Sequence, residues 1–129
     1  MTSTMTITVH ATNLITANQR MHRMVTARMT KNLRITGAHN AHAQGIPVMD
    51  RAHLTVYVSW PDRRKRDVLN LAPTIKALVD GIVTDGGRLP NDDDEHLTGP
   101  DFRVTPEMSG IKGVTRLRFE FTQYVGKVA

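Results

Sequence analysis

The chain has no cysteine, and aromatic side chains make up only 5% of its 129 residues. The first absence excludes disulfide scaffolds, thiolate zinc sites and cysteine nucleophiles. It also suits a reducing cytosol, so a cytoplasmic protein is expected. The second leaves too few Phe and Tyr for the stacking platforms that read single-stranded RNA. No apolar run approaches the roughly 18 residues of a membrane span, and residues 1–11 lack the basic-then-apolar order of a signal peptide. Gly37, Gly86 and Gly87 carry no phosphate-loop spacing, and no small-molecule organic cofactor is expected. What is there is a globular composition, 40% hydrophobic and 22% charged, long enough for one domain over 1–129 with a single core.

Charge is plentiful but unevenly laid out. The chain carries 17 Lys and Arg against 12 Asp and Glu, a formal +5. Asp92, Asp93, Asp94 and Glu95 hold four of those acids, and setting them aside leaves 8 against 17 bases. A basic body attracts polyanions, nucleic acid above all. A carboxylate knot repels phosphate unless a cation neutralises it. The bland alternative is a solvated acidic loop on an ordinary basic protein.

Hydrophobic periodicity gives the expected elements. Thr4–His10 alternates Thr with Met, Ile and Val, the pattern of a half-buried strand. Thr16 with Gln19 reads as a capping box opening an amphipathic helix to about Thr36. Met21, Val25, Met29 and Leu33 advance along one side of it. Arg20, Arg23, Lys31 and Arg34 fall within an arc of roughly 80° on the other. Gly37 is expected to end this helix, with Ala38–Pro47 as a loop or a frayed second helix. Ala52–Trp60 is a strand ended by Pro61. Asn70 then caps a second helix with Pro73 in its first turn and a stripe of Leu71, Ile75, Leu78 and Ile82. Gly86-Gly87 closes it, Arg88–Pro100 is a polar loop, and Phe102–Thr105 and Thr115–Tyr124 are strands. The order β-α-β-α-β-β predicts a single α+β domain, a mixed sheet with helices packed on it.

The chemistry-bearing residues gather in the middle of the chain. Asp67 lies between the second strand and the second helix. Lys76 and Asp80 are i, i+4 on that helix, facing away from its apolar stripe. The acidic tetrad follows the helix and meets Asp67 only if the loop folds back. Carboxylates converging there would form a hard oxygen site for Mg²⁺ or Mn²⁺. Such an ion serves phosphodiester hydrolysis as Lewis acid and source of hydroxide, and an ammonium such as Lys76 offsets charge in the transition state. Each piece also has a plain structural reading: Asp67 as a helix cap, Lys76–Asp80 as an exposed ion pair, the tetrad as solvated.

The run from Pro61 through Arg63, Arg64, Lys65, Arg66, Asp67 and Asn70, then Lys76, Asp80-Gly81 and Asp92-Asp93, resembles the RusA family of Holliday-junction resolvases. The longer pattern from Asn70 to Pro100 looks like a phage or actinobacterial branch, and Thr16–Arg20, with Asn18, is similar to that branch's N-terminal motif. The resemblance runs from about Thr6 to Thr122. It implies a homodimer that binds four-way DNA junctions and cuts paired strands by Mg²⁺-dependent hydrolysis. It also implies that Asp67, Asp92 and Asp93 are metal ligands, that Asp67, Lys76 and Asp93 are catalytic, and that Asn18 and Asn70 are motif positions. Two departures stand out. Leu69 occupies the position of the family's second carboxylate, for which Asp80 or water would substitute as ligand. Six residues, against three, separate Asn70 from Lys76.

The basic residues gain a role in that setting. Arg63, Arg64, Lys65 and Arg66 form one set of expected DNA contacts, and Arg20, Arg23, Lys31 and Arg34 a second. The composition fits recognition of branched duplex by shape rather than by base reading. Two other readings stay open: a catalytically weak or silent DNA-binding relative lacking the Leu69-position carboxylate, and a small basic structural protein whose acidic loop docks a partner. His39 and His42 read as a solvated pair, His96 as a surface residue or an outer neighbour of a metal, and Trp60 as a core or dimer contact. The methionines read as a packing face or a dimer surface.

Overall fold

Strand alternation decides the two faces of the sheet. Residues 1–124 are described in the computed structural model; the last five residues of the expected 1–129 domain lie outside them. Strand β1 (Thr2–His10) buries Met5, Ile7 and Val9, and β2 (Ala52–Ser59) buries Ala52, Leu54, Val56 and Val58. After β3 (Leu97–Val104), β4 (Val114–Gln123) buries Leu117, Phe119 and Phe121 on that same side. The strands lie in the order β1-β4-β2-β3. Strand β4 runs antiparallel to β1 and β2, whereas β2 and β3 are parallel. A parallel neighbour demands a long crossover, and the second helix supplies it. The α+β class, the mixed sheet and the element order are as expected from the sequence.

Helix α1 (Arg23–Ala43) differs from the expected one at both ends. The Thr16–Gln19 pair does form, with the Thr16 N–H donating to Gln19 Oε1 at 3.0 Å. However, the Thr16 hydroxyl donates to Asn18 and so does not cap, and the Ala17 N–H is taken by the Asn70 carbonyl. The segment therefore closes a turn, and His22 caps the helix six residues later by accepting from the Met24 N–H. Gly37 does not end the helix. It is buried where α1 crosses the second helix, and a Cβ there would collide with the Leu78 carbonyl. The real stop is Gln44 followed by Gly45 at φ +71°, a left-handed conformation that suits glycine. The Gln44 amide then bridges the free edge of β1, accepting from the Thr6 N–H and donating to its carbonyl.

The second helix opens as a 3-10 turn, Val68–Leu71, capped by Asp67 rather than by Asn70. It continues as α2 (Ala72–Asp80) and widens into a π-turn over Gly81–Asp85 that Gly86 closes. Leu71, Ile75, Leu78 and Ile82 are all buried, as the stripe predicted. Gly81 mirrors Gly37, since a Cβ on it would strike the Arg34 carbonyl. The two glycines thus let the helix backbones cross almost in contact. The expected loop is also shorter: Leu97–Pro100 belongs to β3, not to a polar connection. Among the described residues no helix is long and apolar enough to cross a membrane.

Candidate functional site

The acidic tetrad returns to α2. The chain after Gly87, itself at φ +66°, doubles back so that the Asp92 side chain lies beside the outer face of the helix. Lys76 Nζ donates to Asp80 Oδ1 and to Asp92 Oδ2, 2.8 Å in each case. Helical spacing sets the first bond, because i and i+4 share a face. The second joins residues 16 apart and pins the loop to the helix. The carboxylates are better covered than the ammonium, with 22% and 29% side-chain exposure against 64%.

The electrostatics follow from these contacts. Hydrogen bonds to Asp80 and then to Asp92 raise the Lys76 ammonium above its ordinary value, against a smaller opposing effect of burial. The Lys76 ammonium holds Asp92 below the usual carboxylate range, against an opposing effect of burial. Stabilisation from the lowered Asp92 is present above its ordinary value near 3.8 and fades on acidification. That from the raised Lys76 is present below 10.5 and fades as pH climbs through its raised value. Lys76 and Asp92 therefore each hold their charge at neutral pH.

Asp93, the neighbour of Asp92, serves another group. Its Oδ1 accepts from the Glu95 and His96 N–H groups at 3.2 Å. Asp93, Glu95 and His96 offer ligand atoms within 4.8 Å of one another, near enough to hold a metal ion. His96 Nδ1 lies 3.0 Å from the Asp50 carbonyl oxygen. No set of three drawn from Asp67, Asp80, Asp92 and Asp93 comes within that span among the described residues. Asp67 is occupied locally, its Oδ1 accepting from the Leu69 N–H at 3.0 Å. Leu69 projects into solvent, 61% exposed. The expected ligands thus divide: Asp80 and Asp92 meet at Lys76, Asp93 turns to Glu95 and His96, and Asp67 caps.

The expected DNA contacts divide as well. Arg63, Arg64 and Lys65 are exposed on the loop between β2 and α2, and Arg20, Arg23 and Lys31 are exposed at and along α1. Arg34 makes a two-pronged pair with Asp85, 2.8 Å on each prong, that ties α1 to the end of the second helix. Arg66 is more structural still. It donates to Asp62 Oδ1 at 2.7 Å and stacks over the Trp60 ring with its carbon 5.2 Å from the centroid. The loop is thereby held by its last arginine while its first three basic residues face outward. Asn70 and Asn18 act through neighbours: the Asn70 carbonyl takes the Ala17 N–H, and Asn18 takes the Thr16 hydroxyl.

Arg66 holds the Asp62 carboxyl down to about 2 from the ordinary 3.8, helped by the Arg64 N–H. Replacing Arg66 with Ala is expected to return it most of the way, which an NMR pH titration of the Asp62 side chain would measure. Because the folded value is the lower one, the stability it brings is present above about pH 4 and lost as pH falls through about 2. An Asp62 that titrates alike in both proteins would contradict the contact.

The open sheet face holds a network that the sequence pattern does not reveal. His53 Nδ1 lies 2.8 Å from Thr98 Oγ1 and Nε2 2.8 Å from Asp101 Oδ2, and Thr98 in turn meets the Tyr124 hydroxyl at 2.9 Å. No spacing rule would have found it, since it depends on the parallel register of β2 and β3 and on the irregularity between His53 and Thr55. Comparison with other proteins adds no family. No protein-family model and no curated protein matches the chain.

Proposed function

We propose that the chain is a RusA-like, Mg²⁺-dependent endonuclease that cuts branched DNA, with Lys76, Asp80 and Asp92 as its working groups. The observation that carries this reading is the single ammonium shared by two carboxylates, Lys76 Nζ at 2.8 Å from both Asp80 and Asp92. Two carboxylates suit Mg²⁺, which binds protein through one or two such groups and keeps several waters for substrate phosphate to replace. The donor set is oxygen only, and this fits a hard ion. Asp80 and Asp92 would hold it, and the ion would supply Lewis acidity and an acidified water. Asp80 takes the part of the carboxylate that Leu69 does not provide.

The chain's own groups then have separate tasks. Asp80 and Asp92 gather the cation and orient the attacking water. Lys76, kept protonated by the same carboxylates, places positive charge against the phosphoryl oxygens as they gain negative charge. Arg63, Arg64 and Lys65 bring the phosphate backbone to the helix. Two equivalent cuts across a two-fold junction call for a two-fold protein, so the active form is a C₂ homodimer.

The test is incubation of the protein with a labelled four-way junction in Mg²⁺ and in EDTA. Paired nicks that vanish in EDTA support the enzyme. Tight junction binding with no cut in Mg²⁺ or Mn²⁺ would instead favour the silent DNA-binding relative, the second reading that Leu69 at 61% exposure keeps in view. Both readings share one expectation. Replacing Arg63, Arg64 and Lys65 with Ala weakens junction binding and lowers the slope of log K against log salt by about 0.9 for each phosphate that is no longer neutralised. A slope unchanged in the triple variant would place the DNA elsewhere.

A further inference from the structure

A cavity of about 270 Å³ opens beside the charged group, between α2 and β3. Ile75, Val79 and Phe102 are among its apolar walls, and Lys76 and Asp92 line it too. The slot and the charged group therefore share two side chains. Whatever enters has an apolar, ring-sized body and a polar end at Lys76 and Asp92. In a nucleotide the base and its flanking phosphate stand in that relation, one sugar apart. Enzymes that extrude a base seat it between apolar or aromatic side chains, and extrusion is easiest where pairing is already disturbed.

We propose that this cavity takes an unpaired base from the branch point of the DNA, stacked against Phe102, so that the adjoining phosphate comes to Lys76 and Asp92. The inference rests on the nuclease reading above and goes further, naming the substrate as DNA able to release one nucleotide at the branch. The chain's basic excess draws DNA to the protein, and a cation held by Asp80 and Asp92, which now share the Lys76 ammonium, would offset their charge against the incoming phosphate. Phe102 is half-buried, packed against the core and lining the cavity.

The experiment places 2-aminopurine at the branch-point nucleotide of a four-way junction and reads its fluorescence on binding with Ca²⁺ in place of Mg²⁺, so that the carboxylates are neutralised. Nicking is then timed in Mg²⁺. With the native chain, emission is expected to rise several-fold as the base unstacks. In Ala72→Phe, which fills the cavity from an exposed position on its rim, the rise is expected to disappear and nicking to slow at least tenfold. A junction with an abasic branch nucleotide has no base to seat, so both proteins should nick it at similar rates. That rescue also excludes a folding defect in the variant. Nicking by the native chain without a fluorescence rise, or equal slowing of Ala72→Phe on both junctions, would overturn the cavity's role while leaving the nuclease reading intact. A native chain that neither binds nor nicks the junction removes both.

Discussion

Asp92→Asn and Lys76→Met should each slow Mg²⁺-dependent nicking of a four-way junction by about 10²–10³-fold, with folding almost untouched. The magnitude is that of losing one preorganised charge or donor at a transition state. Asparagine keeps the shape of Asp92 and its reach to Lys76 but loses the anion that would hold the cation. Methionine keeps the Lys76 stem and loses the ammonium. Stability barely changes, because Lys76 is 64% exposed and exposed ion pairs contribute about 0–1 kcal/mol. Single-turnover nicking beside a urea titration checks both halves. A variant that loses its fold, or one that cuts at the native rate, would remove this group from the catalytic account. Asp93→Asn sharpens the contrast, since Asp93 faces Glu95 and His96 and its loss should slow nicking less than that of Asp92.

The largest expected effects on stability lie at the helix crossing. Gly37→Ala and Gly81→Ala should each destabilise the chain by about 1–3 kcal/mol, the cost of forcing an extra carbon into packed backbone. At Gly37 the new Cβ meets the Leu78 carbonyl, and at Gly81 the Arg34 carbonyl, which no side-chain rotation can move aside. In an exposed helix the same change gains up to about 1 kcal/mol, because alanine favours helix more than glycine does. The sign of the change, read from urea unfolding, therefore reports the crossing directly. Stabilisation in either variant would mean that the two helices are further apart than the structure has them. Loss at Gly81 should also carry a functional cost, since Asp80 immediately precedes it.

Much of this architecture was legible in the sequence because its signals are local. Alternation over Thr4–His10 and Ala52–Trp60 and the stripe Leu71, Ile75, Leu78, Ile82 depend only on strand and helix geometry, and these segments form as expected. The boundaries that differ are those where a distant partner decides. Thr16 and Gln19 have the right residues for a capping box, but Asn70 takes the Ala17 N–H and bends the segment into a turn. Gly37 has the right residue for a helix stop, yet α2 buries it mid-helix. The site divides along the same line. Lys76–Asp80 is an i, i+4 pair visible in the sequence. Whether Asp92 or Asp93 would reach Lys76 depends on how the loop turns after Gly87, which no periodicity encodes. Arg34 finds its partner Asp85 only through the fold, 51 residues away, whereas the Asp62–Arg66 pair is i, i+4 and lies within sequence reach.

The most direct measurement is the position of Mn²⁺ in crystals of the chain, read from its anomalous scattering. The account predicts a peak held between Asp80 and Asp92, with the Lys76 ammonium drawn off at least one of the two carboxylates. A peak at Asp93, Glu95 and His96 alone, with Lys76 still bonded to Asp80 and Asp92, would contradict it.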